Sequence, residues 1–231
     1  MNTGVKDVSC VTCKNKSSCF EKLSIPELES VDNNRVEIKY RKGEIIAKQG
    51  SFVTHILFVR DGLTKMYMEV NDTHNLILNL FSKGSLIGLP SLYNNNIAQY
   101  TVSAIEDTSI CAIDKKVFEE LIMKNGEFAT HVISTINNCA FYNFDKIVSL
   151  TQKQHTGRLA EALLFISDNI YHDNKFKLSL SRKDLAEYTG MSVISVIRIL
   201  KDFNTDGIIK STGKIIEIID MSRLERISEA G

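Results

Sequence analysis

The sequence lacks tryptophan, has only two prolines and carries no excess of either charge, because 28 lysines and arginines balance 28 aspartates and glutamates. A neutral total argues against nucleic-acid binding through a uniformly basic surface. No apolar run approaches the roughly 20 residues that span a bilayer, and the start of the chain has no apolar signal segment. An apolar content of 43% over 231 residues excludes a disordered chain. We therefore expect a soluble cytoplasmic protein with no membrane partner.

The cysteines are few and unevenly placed. Three of the five, Cys10, Cys13 and Cys19, lie within ten residues, whereas Cys111 and Cys139 are isolated. In a reducing cytoplasm such a group is more typical of a metal site or a redox sensor than of disulfides. An isolated cysteine is more often a small buried apolar side chain.

Short strands are predicted throughout the first half of the chain. Turns containing Gly, Asn or Asp recur between Val36 and Phe118, and short apolar segments lie between them. Many short strands at even spacing are typical of a sandwich or a barrel such as a jelly roll.

A long helix is predicted next, because no Pro or Gly interrupts the chain from Glu127 to His155. It carries two apolar stripes, and two stripes need two partners. We expect the second stripe, Ile133, Ala140, Phe144 and Ile147, to pack on the β domain. We expect the first stripe and its neighbours to form a dimer interface: Val132, Ile136, Cys139, Asn143, Asp145, Ile147 and Leu150. An ordinary core helix is the alternative.

Two short capped helices about a turn are predicted between residues 181 and 203. A variant of the capping box opens the first helix at Ser181, Gly190 lies in the turn, and Ser192 caps the second helix. Followed by a hairpin over residues 208–219, this arrangement is typical of a winged helix-turn-helix. A plain helical hairpin is the structural alternative.

Polar and basic side chains recur at three-residue steps along the second of these helices. We expect Arg198 to read guanine O6 and N7. The expected phosphate contacts are Arg182, Lys183, Ser192, Ser195 and Lys201. Ile194 and Ile197 are either contacts to thymine methyl groups or packing residues. Binding to nucleic acid would then depend on these local positive charges rather than on the net charge of the chain.

Four segments together resemble the CRP/FNR family of transcription regulators. Lys42–Gly50, Phe58–Gly62 and Gly84–Gly88 are similar to its cyclic-nucleotide-binding β-roll, and Leu185–Val193 is similar to its helix-turn-helix. The resemblance covers nearly the whole chain and implies an α+β fold. It implies a cysteine-bearing segment over residues 1–25, a β-roll (jelly roll) sensor domain over 26–125, a dimerisation helix over 126–156 and a winged helix-turn-helix DNA-binding domain over 157–231.

The same resemblance implies a homodimeric regulator that binds double-stranded promoter DNA, contacts RNA polymerase and has no enzymatic activity. Its half-sites would lie about one helical turn, roughly 34 Å, apart. An enzyme on a cupin-like barrel is the competing class. Cupin metal sites draw several histidines from the barrel, whereas this β region has only His55 and His74, widely separated.

The effector implied by the resemblance is an iron-sulfur cluster rather than a cyclic nucleotide. Family members that bind cyclic AMP use a Glu and an Arg-Ser pair where this sequence has Leu89, Ala98 and Gln99. A buried phosphate would then be poorly compensated, which disfavours cyclic AMP.

The N-terminal cysteines have the spacing found in FNR-type oxygen sensors, and Cys111 stands where those proteins take their fourth ligand. The resemblance therefore implies a [4Fe-4S] cluster on Cys10, Cys13, Cys19 and Cys111 that controls dimerisation and operator binding in response to oxygen, nitric oxide or redox state. The alternatives are structural zinc, free thiols, another small effector in the β-roll, or haem on one of His55, His74 and His131.

Asp145 and the base-reading face of the second helix can be compared with FNR proteins in more detail. Asp145 stands where FNR proteins carry an acidic residue that opposes dimerisation; a solvated surface charge is the alternative. The base-reading face differs, because Ile194, Ile197 and Arg198 stand where FNR proteins have Glu, Ser and Arg. Only the arginine matches, so the usual half-site of those proteins is not expected.

Overall fold

The computed structural model of the chain describes residues 9–69, 75–93 and 96–230. Two compact units are present, one of Met1–Met68 with Leu80–Tyr142 and one of Glu69–Asn79 with Asn143–Gly231. The division of the chain into four functional segments stays a prediction. No helix in the described part of the chain is long and apolar enough to cross a membrane.

Eight strands form two four-stranded sheets, as predicted for a β-roll. The strand orders are β1-β8-β3-β6 and β2-β7-β4-β5. The strands are β1 (Arg35–Tyr40), β2 (Ile45–Ala47), β3 (His55–Asp61), β4 (Thr64–Glu69), β5 (Asn75–Phe81), β6 (Leu86–Ile87), β7 (Thr101–Ala104) and β8 (Thr108–Asp114). Gly62 illustrates why glycines recur between strands: its φ is +95°, and an added Cβ would lie 2.5 Å from Thr108 Oγ1.

Strand β8 lies between β1 and β3, which explains its continuous apolar run. It pairs antiparallel with both neighbours, so Cys111 stands opposite Glu37 on one side and Phe58 on the other. Both faces of β8 are buried, because Ala112 lines the cavity between the two sheets while Cys111 and Ile113 face the core cluster on the other side of the sheet. Cys111 is therefore held at a fixed position on the outer face of the β-roll.

Three helices flank the β-roll in sequence: α1 (Ile25–Asn33), α2 (Lys115–Lys124) and the long α3 (Gly126–Gln152). Helix α1 was not predicted, although Ser24 and Glu27 form a capping box at its start. A 3₁₀ turn, Phe20–Lys22, precedes it. The Phe20 ring packs on Phe58, Phe118 and Phe128, with ring centroids 5.6, 6.4 and 6.3 Å away. This aromatic cluster anchors the cysteine-bearing segment.

The C-terminal elements confirm the winged helix-turn-helix. They are α4 (His155–Phe165), a π-helical turn (Ile166–Tyr171), β9 (Lys175–Lys177), α5 (Arg182–Thr189), α6 (Val193–Thr205), β10 (Ile209–Thr212), β11 (Ile215–Ile218) and α7 (Met221–Ala230). The predicted capping box is present, since Ser181 Oγ accepts from the Asp184 amide at 3.1 Å and the Asp184 carboxylate accepts from the Ser181 amide at 2.8 Å. Gly190 ends α5 with a φ of +63°. Helix α7 was not predicted.

Candidate thiol site and nucleic-acid interface

Three of the four cysteines predicted as ligands line one cavity. Cys10 and Cys13 come from the N-terminal segment, and Cys111 comes from β8. The cavity is small, about 20 Å³, and its other lining residues are Lys16, Phe20, Leu28, Val31, Arg35, Phe58, Arg60 and Ile113. The fold therefore brings thiols from two distant parts of the sequence to one place.

Cys19, the fourth predicted ligand, does not line this cavity. It is 1% exposed within the hydrophobic core, and its Sγ lies 3.4 Å from Oγ1 of Thr135 on α3. Among the described residues, no group of three or more His, Cys, Asp or Glu side chains is arranged to hold a metal ion. The structure thus brings three of the thiols to one cavity, but no three of them are close enough together to share a metal ion.

Burial keeps two of these thiols protonated in the metal-free chain. Desolvation raises the pKa of Cys10 to about 11, although the nearby Arg35 guanidinium opposes this shift. Desolvation also raises the pKa of Cys111, again against Arg35. Because a thiol binds metal as the thiolate, metal binding at this cavity would release protons.

Charged side chains of β1 border the thiol cavity. Arg35 forms an ion pair with Asp32 at 2.8 Å and donates to the Cys111 thiol at 3.4 Å. Glu37 pairs with Arg60 and lies 3.8 Å from Arg35. The side chains of Arg35 and Glu37 are each 2% exposed. The thiols therefore lie beside a buried, partly neutralised cluster of charges.

This cluster was missed in the sequence because β1 reverses the usual pattern. Arg35 and Glu37 are buried on the face that bears Cys111, whereas Val36 on the other face is 49% exposed. Because Val36 and Ile38 are apolar, alternation alone would assign them, and not the charged residues, to the buried face. The sequence signal for this cluster is that Arg35 and Glu37 are two residues apart in a strand, so that their side chains lie on the same face.

A second cavity, of about 200 Å³, lies within the β-roll. Its lining includes Tyr40, Phe52, Leu57 and Tyr100 but no Lys or Arg among the described residues. Ala98 also lines it. A cyclic phosphate would find no cationic side chain here, which agrees with the expectation from the sequence.

Two of the three histidines considered for haem make local hydrogen bonds. Nδ1 of His55 lies 2.8 Å from Thr54 Oγ1, and Nδ1 of His131 lies 3.0 Å from the Glu127 carbonyl oxygen. His74, the third, lies outside the described residues. The haem alternative stays a prediction.

Helix α6 presents the predicted DNA-contacting side chains to solvent. Ile194 and Ile197 are 79% and 51% exposed, and Arg198 and Lys201 are exposed as well. Ile194 and Ile197 are therefore not packing residues within this chain. Opposite them, Val196, Ile199, Leu200 and Phe203 are buried. The helix has one core face and one free face that combines basic and apolar groups.

Other predicted DNA contacts are occupied within the chain. Ser192 is the N-cap of α6, since its Oγ accepts from the Ser195 amide at 3.1 Å and lies 3.0 Å from Ser195 Oγ. Lys183 Nζ lies 3.7 Å from a Glu187 carboxylate oxygen. Burial lowers the pKa of Arg182. A hydroxyl that caps a helix can still accept further bonds, so these roles stay predictions.

The start of α3 packs differently from what was expected. Val132 is 2% exposed and lies in the core cluster with Phe20, whereas Ile136 is only partly buried against the same cluster. The chain itself covers Val132, and the assignment of the two residues to a dimer interface stays a prediction. Conversely, Ile133 and Phe144 are 58% and 60% exposed rather than packed on the β-roll. The expectation failed because both stripes are apolar, and periodicity alone does not identify the partner of each.

The remaining residues predicted for the dimer interface are not internal. Asn143, Asp145 and Ile147 are exposed, while Cys139 and Leu150 are half-buried. Phe141 and Val148, which were not predicted, are 65% and 55% exposed. Their helical spacing places them with Ile133, Phe144 and Ile147 in one apolar stripe.

Comparison with known families agrees with this geometry. Residues 37–125 match the model of the cyclic nucleotide-binding domain, and residues 157–227 match the model of the Crp-like helix-turn-helix domain. The chain belongs to the CRP/FNR family. As a CRP/FNR-family protein, it is a DNA-binding transcription regulator.

Individual members of the CRP/FNR family are distant relatives. The chain is 23% identical to Electron transport regulator A of Shewanella oneidensis over 96% of this chain and 90% of that protein. It is 22% identical to Transcriptional activator protein FnrA of Stutzerimonas stutzeri over 93% of this chain and 90% of that protein. Among solved structures, FixK2 from Bradyrhizobium japonicum superposes with a TM-score of 0.78 at 23% identity, over 84% of this chain and 96% of that one. The structural likeness establishes the fold.

Proposed function

We propose that this regulator controls DNA binding through a [4Fe-4S] cluster held by Cys10, Cys13, Cys19 and Cys111. The observation that carries the proposal is the shared cavity, which brings Cys10 and Cys13 next to Cys111. Four thiolates are the ligand set that such a cluster requires. The names of the relatives, among them a "Fumarate and nitrate reduction regulatory protein" of Vibrio cholerae, support a role in anaerobic regulation.

Basic side chains around the cavity would favour an anionic metal group. Lys16, Arg35 and Arg60 supply positive charge, and the aromatic ring of Phe58 supplies an apolar wall. Cys19 would have to leave its contact with Thr135 to become the fourth ligand. A bound cluster supplies a metal centre that oxygen or nitric oxide can attack.

Movement of Cys19 gives this chain a route from the thiol site to the long helix. The Cys19 thiol contacts Thr135, and the ring of the neighbouring Phe20 stacks on Phe128. Thr135 and Phe128 both lie on α3. A change in the ligation of Cys19 would therefore alter packing against α3. We infer that oxygen, nitric oxide or redox state acts by this route.

The output is operator binding by a homodimer. The exposed stripe of α3, Ile133, Phe141, Phe144, Ile147 and Val148, offers an apolar face of the kind that a second copy would cover. Asp145 is exposed beside this stripe, where two copies of its carboxylate would repel across a two-fold axis. The two α6 helices would then enter successive major grooves about one helical turn apart, roughly 34 Å. Recruitment or exclusion of RNA polymerase in the cytoplasm completes the proposal.

Purification without oxygen tests the cluster directly. We expect coloured protein that contains iron and acid-labile sulfide and loses both in air. Replacing Cys10, Cys13, Cys19 or Cys111 by Ser should each lower the iron content, whereas Cys139→Ser, at a half-buried position on α3, serves as the matched control. A colourless protein that contains stoichiometric zinc would contradict the cluster and leave DNA binding intact.

Operator binding has its own test. Selection from a random-sequence DNA pool with anaerobically prepared protein should enrich a pseudo-palindrome with half-sites one turn apart. Failure to enrich any sequence would contradict the recognition role given to α6.

The β-roll cavity favours one alternative effector. Its lining is mainly aliphatic and aromatic, with Ser51, Thr54, His55 and Ser91 as polar groups, and this suits an uncharged small molecule rather than a nucleotide. Native mass spectrometry of the purified protein checks this, and a retained neutral ligand, lost with Leu57→Trp, would support it. The thiols would then hold zinc or remain free.

A further inference from the structure

Arg35 joins the two parts of the thiol site. Its guanidinium donates to the Cys111 thiol at 3.4 Å and lies against the Cys10 thiol. It also pairs with Asp32 at 2.8 Å, and the same carboxylate accepts the Cys10 amide at 3.1 Å. Arg35 therefore contacts a cysteine on β8 directly, and its ion pair with Asp32 connects it to the backbone of a cysteine in the N-terminal segment.

The burial of Arg35 is unusual enough to require a reason. Its side chain is 2% exposed, and the neighbouring Glu37 carboxylate has one buried oxygen, Oε2, without a hydrogen-bond partner. Charged groups are seldom buried without strong compensation, because removing them from water is costly. Departures from sequence rules of this kind are concentrated at functional sites.

Arginine suits this position better than lysine. A planar guanidinium presents several donors in a fixed fork, so it can contact Asp32 and Cys111 at the same time. The ammonium group of lysine is a single point of charge. Charge-assisted donation to sulfur also stabilises the anionic form in which cysteine binds metal.

We propose that Arg35 is the positioning residue of the thiol site, fixing Cys10 and Cys111 on a common cavity and donating to the Cys111 sulfur when metal is bound. This inference deepens the proposed function and rests on it only for the identity of the metal group. Removal of such outer partners typically weakens metal binding by about 10- to 100-fold.

Titration of the metal-free full-length protein with Co²⁺ under anaerobic conditions tests the positioning role. The sulfur-to-cobalt charge-transfer absorption reports thiolate ligation without any need for a cluster. We expect Arg35→Met to weaken Co²⁺ binding by about 10- to 100-fold. Arg35→Lys should lose less, because it keeps the charge but not the fork. Arg41→Met, at an exposed arginine of the same β-roll, should bind Co²⁺ as the wild type does.

Folding is checked by circular dichroism and thermal melting. If Arg35→Met does not fold, Arg35→Lys decides, because it preserves the buried charge. A second readout is the reduction potential of protein reconstituted with iron and sulfide. Loss of a donor to a ligating sulfur should shift that potential to more negative values. A residue that only supports the fold would leave the potential of the loaded protein unchanged.

The outcomes separate the two proposals. Wild-type Co²⁺ affinity in both Arg35 variants would overturn the positioning role and leave the proposed function standing. A wild-type protein that binds Co²⁺ through thiolates but takes up no iron and sulfide would overturn the cluster and leave the positioning role standing. A wild-type protein that binds neither would overturn both.

Discussion

Phe20 holds the cysteine-bearing segment on the β-roll, and its replacement by alanine should release that segment. The ring is 4% exposed, and three phenylalanine rings lie within 6.4 Å of it, centroid to centroid. Removing a buried phenylalanine side chain costs about 3–5 kcal/mol. Between residues 9 and 24 the other buried apolar residues are only Cys19 and Leu23. Most of the loss should therefore appear as local opening, with the open population rising by about two to four powers of ten.

Hydrogen exchange measured by mass spectrometry on the full chain tests this expectation. Peptides from residues 9–24 should exchange much faster in Phe20→Ala, while peptides from residues 155–230 should keep their wild-type rates. Phe52→Ala is the matched control, because Phe52 is 80% exposed on the same β-roll. Unchanged exchange in residues 9–24, or an equal rise across the whole chain, would refute the anchoring role of Phe20.

Three further predictions concern the DNA interface, the dimer interface and pH. Arg198→Ala should weaken binding to a selected operator by about 5- to 150-fold, which corresponds to a loss of about 1–3 kcal/mol of binding free energy. Arg226→Ala on α7 should leave the affinity unchanged, and fluorescence anisotropy measures both variants. Phe144→Asp should raise the dimer dissociation constant about 30-fold or more in sedimentation experiments, and an equal effect of Met123→Asp on α2 would contradict the interface. Burial lowers the pKa of Lys146 to about 7. Above that pH the unfolded chain binds more protons than the folded chain, so the free energy of unfolding should rise from about pH 7 towards the ordinary lysine pKa of 10.5. The rise should be less than about 1.4 kcal/mol per pH unit. Lys146→Met should abolish the rise in melting curves, and an unchanged pH profile would refute this assignment.

Much of the fold could be predicted because its signals are local. The capping box at Ser181, the left-handed Gly190 and the cap at Ser192 each depend on residues only a few positions apart. The same holds for the turns of the β-roll. Helix α1 was missed although its capping box, from Ser24 to Glu27, is just as local.

The partner of each α3 stripe could not be predicted in this way. Val132 and Ile133 are adjacent and equally apolar, yet one is 2% and the other 58% exposed. The difference arises because Val132 packs in one core cluster with Phe20, which is 112 residues earlier in the sequence. Periodicity shows that a helix has two apolar faces, but only the packed chain shows which of them is free.

The sequence by itself determined the β-roll, the long helix, the winged helix-turn-helix and the spacing of the cysteines, because each depends on short-range patterns of polarity and turn chemistry. Only the tertiary structure decided which thiols meet and what surrounds them. Arg35 and Cys111 are 76 residues apart, and Cys19 and Thr135 are 116 apart. Contacts over such separations are made by the packing of the β-roll against α1 and α3, and no local pattern specifies them. The buried guanidinium beside the cysteines is therefore a property of the fold, although every residue that forms it stands in the sequence.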